Sequence, residues 1–320
     1  SSDVRDARLA EMALNDGYGQ VRDLMMVNTW NTSHNISVSG GTGKFKIFGS
    51  VGYDGQQSGF HKTNDTYKIN LRQSYQIFKW LNWDMTINAS MSKAKEKYEV
   101  NFSEGNSYLS RLPYAMLQNS DGSWVDYNQY IMAPLWRDKI EPELGISTIY
   151  NPVVDFNKTA IKTDALRVRA NTAFTAKIIK GLTYELRFQY LRGTSNQEFY
   201  IPEDTWHIRN LRILGTAYGT NKQMFPAKGG DFTVTENKQS DYTIRHQINY
   251  NNSFNQDKHQ ITALAGTEWR ESSTNAYKSF VKGYDYQTMS QTQYDITNSR
   301  NAFLNYFGGA TYPTVDGFTT

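Results

Sequence analysis

Leu182 to Tyr190 reads LTYELRFQY. Every second residue is large and apolar (Leu182, Tyr184, Leu186, Phe188, Tyr190), while Thr183, Glu185, Arg187 and Gln189 lie between. A period of two places alternate side chains on opposite faces of an extended strand, so this stretch is a β-strand with one greasy and one polar side. Four further segments obey the same rule. Tyr67, Ile69, Leu71, Tyr75 and Ile77 oppose Lys68, Asn70, Arg72, Ser74 and Gln76. Leu81, Trp83, Met85, Ile87, Ala89 and Met91 oppose Asn82, Asp84, Thr86, Asn88, Ser90 and Ser92. Leu166, Val168, Ala170, Phe174 and Ile178 face away from Arg167, Arg169, Asn171 and Lys177, and Tyr242, Ile244, Ile248, Tyr250 and Phe254 from Thr243, Arg245, Gln247 and Asn249. In all five, each Asp, Glu, Lys or Arg falls on the polar side; Gln73 and His246 are polar exceptions on the other.

Shorter strands are read at Asn35 to Gly40, Phe45 to Tyr53, Ile261 to Trp269 and Ala302 to Tyr312, which makes about nine in all. Their connections alternate in length. Gly40 to Lys44, Phe78 to Trp80, Ile179 to Gly181 and Asn255 to Lys258 are tight turns, whereas residues 98–160, 192–240 and 270–300 are long loops. Tight turns at one end and long loops at the other are what a transmembrane β-barrel carries. A soluble β-sandwich or solenoid also shows period-two strands. Two features favour the barrel. Runs of about eleven residues exceed the usual strand length and match a tilted membrane-crossing strand. Tyr67, Tyr75, Trp83, Tyr184, Tyr190, Tyr242 and Tyr250 also close their apolar runs, where interfacial girdles place such rings.

Composition agrees. The 320 residues are 38% hydrophobic with a mean hydropathy of −0.66, and no stretch has the roughly 18 apolar residues of a spanning helix. Aromatics reach 14%, with 22 Tyr, 16 Phe and 7 Trp, rings that need a surface to sit on. The formal charge of +3, from 34 basic and 31 acidic residues, is too balanced for a nucleic-acid partner. No cysteine is present, which excludes disulfides, thiolate metal sites and a Cys nucleophile. Residues 1–30 read as a helical or irregular lead-in, with a helix over Ser2 to Asn15 ended by Gly17 and no signal-peptide pattern.

Several stretches, read as words, resemble one family. HNISVSGG at His34 to Gly41, Gly52-Tyr53-Asp54-Gly55-Gln56, the basic strand Tyr67 to Arg72 and Trp80-Leu81 resemble the first barrel strands of the SusC/RagA-type TonB-dependent outer-membrane transporters of Bacteroidetes. Pro113 with Asn119-Ser120-Asp121-Gly122-Ser123, then Asn151-Pro152, is similar to a long extracellular loop of that family. ITALAGTEW at Ile261 to Trp269 and Asn305-Tyr306-Phe307-Gly308 resemble later strands. The resemblance implies an all-β, 22-stranded barrel closed around an N-terminal plug, working with a SusD-like surface lipoprotein and driven by TonB. No plug or TonB box is visible and about thirteen strands are wanting, so the chain is expected to be an internal barrel fragment over residues 31–312. Residues 313–320 are expected to be an irregular tail.

Catalysis has little support. His34, His61, His207, His246 and His259 are scattered, with no metalloprotease or nucleophile-elbow spacing. Neither a metal nor a cofactor is expected. Gly40-Gly41-Thr42-Gly43-Lys44 lacks the first glycine of a phosphate loop, Val38 standing there, and reads as a hairpin turn. On the polar parity, Lys68, Arg72, Arg167, Arg169, Arg187 and Arg245, with Asp84 and Glu185, are expected to line a lumen, meeting either anionic ligands or the acidic surface of a plug. In the long loops, Trp124, Tyr127, Tyr130, Trp136, Trp206 and Tyr218 lie beside Asp121, Asp126, Asp138 and Asp204. Rings that stack on sugars, with carboxylates accepting hydroxyl hydrogens, suit glycan capture; packing on the lipoprotein or on other loops suits them equally. The expected function is import of an oligosaccharide, or a peptide, across the outer membrane. The alternative is a passive porin or an adhesin barrel.

Overall fold

A computed structural model describes residues 2–98, 114–217, 222–223, 225–256 and 258–293. Two helices, α1 (Ser2–Met12) and α2 (Gly17–Met25), lead into β1 (Trp30–Gly41), β2 (Phe45–Gln57), β3 (Thr63–Phe78) and β4 (Leu81–Lys97). A long connection then carries α3 (Asn128–Ile131), α4 (Pro134–Leu144) and α5 (Pro152–Lys158). β5 (Ala160–Ile179) and β6 (Leu182–Ile201) follow, then α6 (Trp206–Leu214) and the two-residue pair β7 (Thr216–Ala217) and β8 (Lys222–Gln223). The last described elements are β9 (Gly230–Phe254), β10 (His259–Asp285) and β11 (Ser290–Gln291).

Eight long strands and β11 form one antiparallel sheet in the order β1-β2-β3-β4-β5-β6-β9-β10-β11. Each long strand pairs with its sequence neighbour, so the sheet is a meander, open among the described residues at β1 and along β10 beyond its short pairing with β11. The register keeps the two chemistries apart. Tyr75, Trp83, Phe174, Leu186 and His246 stand opposite one another in one row, and Leu71, Ile87, Ala170, Tyr190 and Tyr242 in another. A one-residue slip anywhere would send greasy side chains to the polar face.

Nothing described covers the apolar face. Ile36, Val51, Ile69, Leu166, Ile248 and Trp269 are 47–75% exposed. A patch that spans a whole sheet is far beyond what a monomeric soluble protein leaves in water. No described helix is long and apolar enough to cross a membrane, which leaves crossing by strands untouched. One polar exception on this face, His246, is paired: the Tyr184 hydroxyl meets its Nδ1 at 2.6 Å. Trp83 Nε1 likewise donates to Thr172 Oγ1 at 2.7 Å while the indole stacks on Phe174.

Two expectations need correction. The helix that Gly17 was to end is followed at once by α2, because Asp16 caps it, its carboxylate accepting from Gly19 N at 2.7 Å. The loops expected over 192–240 and 270–300 are largely strand: β6 runs on to Ile201, β9 starts at Gly230 and β10 extends 27 residues to Asp285. Beyond the apolar band the sequence loses its alternation while backbone pairing continues. The strand expected over residues 302–312 lies outside the described residues, among which β11 is the last member of the sheet. The glycine-rich stretch at Gly40 to Lys44 is the β1–β2 hairpin, Thr42 N donating to Phe45 O at 2.6 Å.

Candidate functional site

Two regions hold the candidate residues: the polar face of the sheet and the body formed by the long connections. On the polar face the register assembles the charges in rows. Lys68, Ser90 and Arg167 are direct cross-strand neighbours, with Asn70, Asn88 and Arg169 in the adjoining row. Together these side chains line a concavity of about 260 Å³. Lys68 is ion-paired with Asp54, whereas Arg167 and Arg169 are exposed and make no ion pair among the described residues. Nearer the tight turns, Arg72 and Asp84 line a second, wider hollow of about 640 Å³ beside Gly41, Phe48 and Thr86. A third row runs Asp84, Ala173, Arg187, Arg245 and Glu268. Two arginines face each other there, a repulsive arrangement eased on one side by Glu185, 2.9 Å from Arg187.

The structure thus gathers all eight sequence-predicted polar-face residues on one surface, in three groups. That surface is basic along its middle and otherwise carries amides and hydroxyls. It can attract anions and exchange hydrogen bonds with a polar cargo.

The long connections close over a core of their own. Met25 of α2, Ala115, Leu117, Tyr127, Tyr150, Val153, Phe156, Trp206 and Ile213 are buried together. Polar side chains tie the pieces. Gln20 accepts from Leu117 N at 2.7 Å and donates to Gln118 O at 2.8 Å. Asn151 caps α5 and also donates to Leu117 O and Val125 O at 2.7 and 2.9 Å. Arg137 pairs with Asp126 at 2.7 Å. Glu141 accepts both the Thr148 N–H and hydroxyl, which holds its carboxyl below the usual range. Asp155 accepts from Trp206 N at 2.7 Å, yet burial pushes its pKa up to about 6. Arg209 donates to Ser147 O and Ile149 O and lies over the Trp206 ring; burial pulls its own pKa down.

This core divides the six aromatic candidates. Tyr127 is fully buried and Trp206 is 6% exposed, so their faces are spent on packing and offer nothing to stack a sugar on. Trp124 and Tyr130 remain 46% and 45% exposed. Trp136 lies on α4. Tyr218 lies outside the described residues. Sequence reasoning missed Tyr150, Asp155 and Arg209; the Asn151-Pro152 cap that opens α5 was their nearest signal.

No family model matches the sequence. No curated protein matches it either. Solved structures do match in fold. The structure described as the RagAB peptide transporter superposes with a TM-score of 0.63 at 16% identity, over 88% of this chain and 28% of that one. The RagAB peptide importer in its "closed-closed" state gives 0.64, at 16% identity and the same coverage. Its "open-open" state gives 0.62 at 15% identity, over 85% of this chain and 27% of that one. This chain therefore spans under a third of the length of the chains it resembles, and the likeness is one of fold.

Proposed function

We propose that this chain is barrel wall from a TonB-dependent importer of the outer membrane, a transporter and not an enzyme, whose cargo is an oligopeptide or oligosaccharide. The observation that carries the proposal is a single sheet whose two uncovered faces differ: one holds an uncharged, aromatic-rimmed band, and the other is polar and basic. Hydrocarbon suits the first face and a water-filled or plugged lumen the second. The fold likeness to a RagAB peptide importer supports the same reading and favours peptide as cargo. A SusD-like lipoprotein is the partner proposed for the loop side, where Trp124 and Tyr130 stand exposed. Arg167, Arg169 and Arg245 face the lumen, where they meet acidic groups of a plug or anionic cargo.

The test is uptake by cells expressing or lacking the complete gene product, supplied with labelled acidic oligopeptides and, separately, oligosaccharides. Uptake that needs the gene and stops when the proton-motive force is dissipated supports the importer. Uptake that persists without the force supports a passive porin. No difference between the strains for either cargo overturns transport.

A further inference from the structure

The outward face does not end with its last apolar residue. Above Met91 and Leu166 the same parity carries Lys93, Lys95 and Lys97 on β4 and Lys162 on β5. Lys95 stands directly opposite Lys162, and Lys162 opposite Glu198 of β6. Both lysines are exposed, and neither makes an ion pair among the described residues. Lys93 differs, because its register partners are Asp65 and Asp164. Like charges directly opposed across strands are unfavourable unless an anion lies between them.

One residue pair further up, Ala160, Tyr200 and Phe232 form the next outward row. The Tyr286 ring lies 5.1 Å from Tyr200, and Lys162 Nζ sits 5.3 Å above that ring and donates to its hydroxyl at 3.2 Å. These groups, with Lys158 and Glu198, line a concavity of about 170 Å³ that opens outward. Lys158 is occupied by Asp204 at 2.8 Å.

Depth identifies what such a pocket meets. Lys162 is four residues beyond Leu166 and Ala160 is six. At about 3.3 Å per residue and a tilt near 45°, they stand about 9 and 14 Å outside the hydrocarbon. Phospholipid headgroups end about 5 to 8 Å out, so only a lipid with a tall headgroup reaches the rings. We propose that this pocket binds the phosphorylated saccharide headgroup of an outer-leaflet glycolipid. Lys95 and Lys162 hold the phosphate, the faces of Tyr200 and Tyr286 take the sugar, and Glu198 accepts a sugar hydroxyl. The proposal rests on the membrane-barrel reading above.

The complete transporter is reconstituted into vesicles of phosphatidylcholine alone, with added phosphatidylglycerol, or with an added lipid-A-type phosphorylated glycolipid. Retained lipid is counted after detergent extraction. Wild type retains the glycolipid selectively, and Lys95→Ala/Lys162→Ala lowers its affinity about 30-fold. Tyr200→Ala weakens it separately, while Lys177→Ala, on the opposite face, does not. Equal retention by wild type and the double variant overturns the site, as does equal retention of phosphatidylglycerol. Saturation by free glucosamine phosphate with no preference for the lipid form overturns the lipid source. Failure of the protein to insert, read from complete proteolysis, would instead overturn the barrel reading itself.

Discussion

Leu186 offers the sharpest test of which side of the sheet meets lipid. It occupies the middle of the β6 apolar run, four residues from Leu182 and four from Tyr190. At about 3.3 Å per residue and a 45° tilt, it lies roughly 9 Å from either edge of that run, near the depth where a cation costs most. Its row neighbours are Phe174 and His246, and no acid stands opposite it. An arginine at that depth costs about 2 to 4 kcal/mol, a 30- to 900-fold shift in the folding equilibrium. Gln189 is three residues away on the other parity, opposite Asn171 and Thr243. Gln189→Arg adds the same charge to the polar face and is expected to change stability by less than about 0.5 kcal/mol. Reversible guanidinium unfolding of the complete protein in bilayers measures both. Equal losses, or a neutral Leu186→Arg, would refute the orientation.

Three further outcomes follow from buried groups. Asp155 has a folded pKa of about 6 against an ordinary value of 3.8, raised by desolvation despite the Trp206 N–H, Arg209 and Lys158. The folded loop body therefore binds the extra proton, and its stability rises by up to about 3 kcal/mol as pH falls from 7 to 4 and is lost as pH climbs through 6. Hydrogen exchange at the Trp206 amide reads this, and Asp155→Asn should flatten the dependence. Lys282 and Asp231 form a pair 3.1 Å long, 3% and 9% exposed, where β9 and β10 rise above the band. Lys282→Ala leaves a buried carboxylate and should cost about 3 to 5 kcal/mol of local stability, seen as proteolysis confined to that extension. Tyr127→Ala should loosen the loop body by about 3 to 5 kcal/mol in the same assay, whereas Trp124→Ala should leave it intact and, where the loops hold cargo, weaken uptake.

The apolar band of the sheet was legible because its two faces write opposite chemistries onto alternate residues, as the proposed hydrocarbon on one side and water on the other require. Leu182 to Tyr190 carries that signal without interruption and Tyr67 to Ile77 with Gln73 alone against it, and the register pairs each with its neighbour as their faces require. Residues 192–201 and 230–240 are strand as well, yet RGTSNQEFYI and GDFTVTENKQS hold no such contrast. Water wets both sides there, and only backbone hydrogen bonds made with distant residues keep the chain extended. The polar-face charges were found for the same reason as the strands. The loop aromatics were not sorted, because Tyr127 and Trp124 sit three residues apart in similar company. What separates them is the closure of Met25, Leu117 and Val153 around one and not the other.

That closure bears on how cargo would be held. A flexible lid would show few buried contacts, whereas here α2, the segment with Ala115 and Leu117, α5 and α6 share one core and interlock through Gln20, Asn151 and Asp155. Elements so joined open together or not at all, since breaking any one strands buried polar groups of the others. Motion that admits cargo is therefore expected outside this body, in the partner or in what fills the lumen. The loop body acts as a fixed platform presenting Trp124 and Tyr130. A cross-link between α2 and α6 should then leave uptake unchanged, and its arrest by that cross-link would show that the platform itself must move.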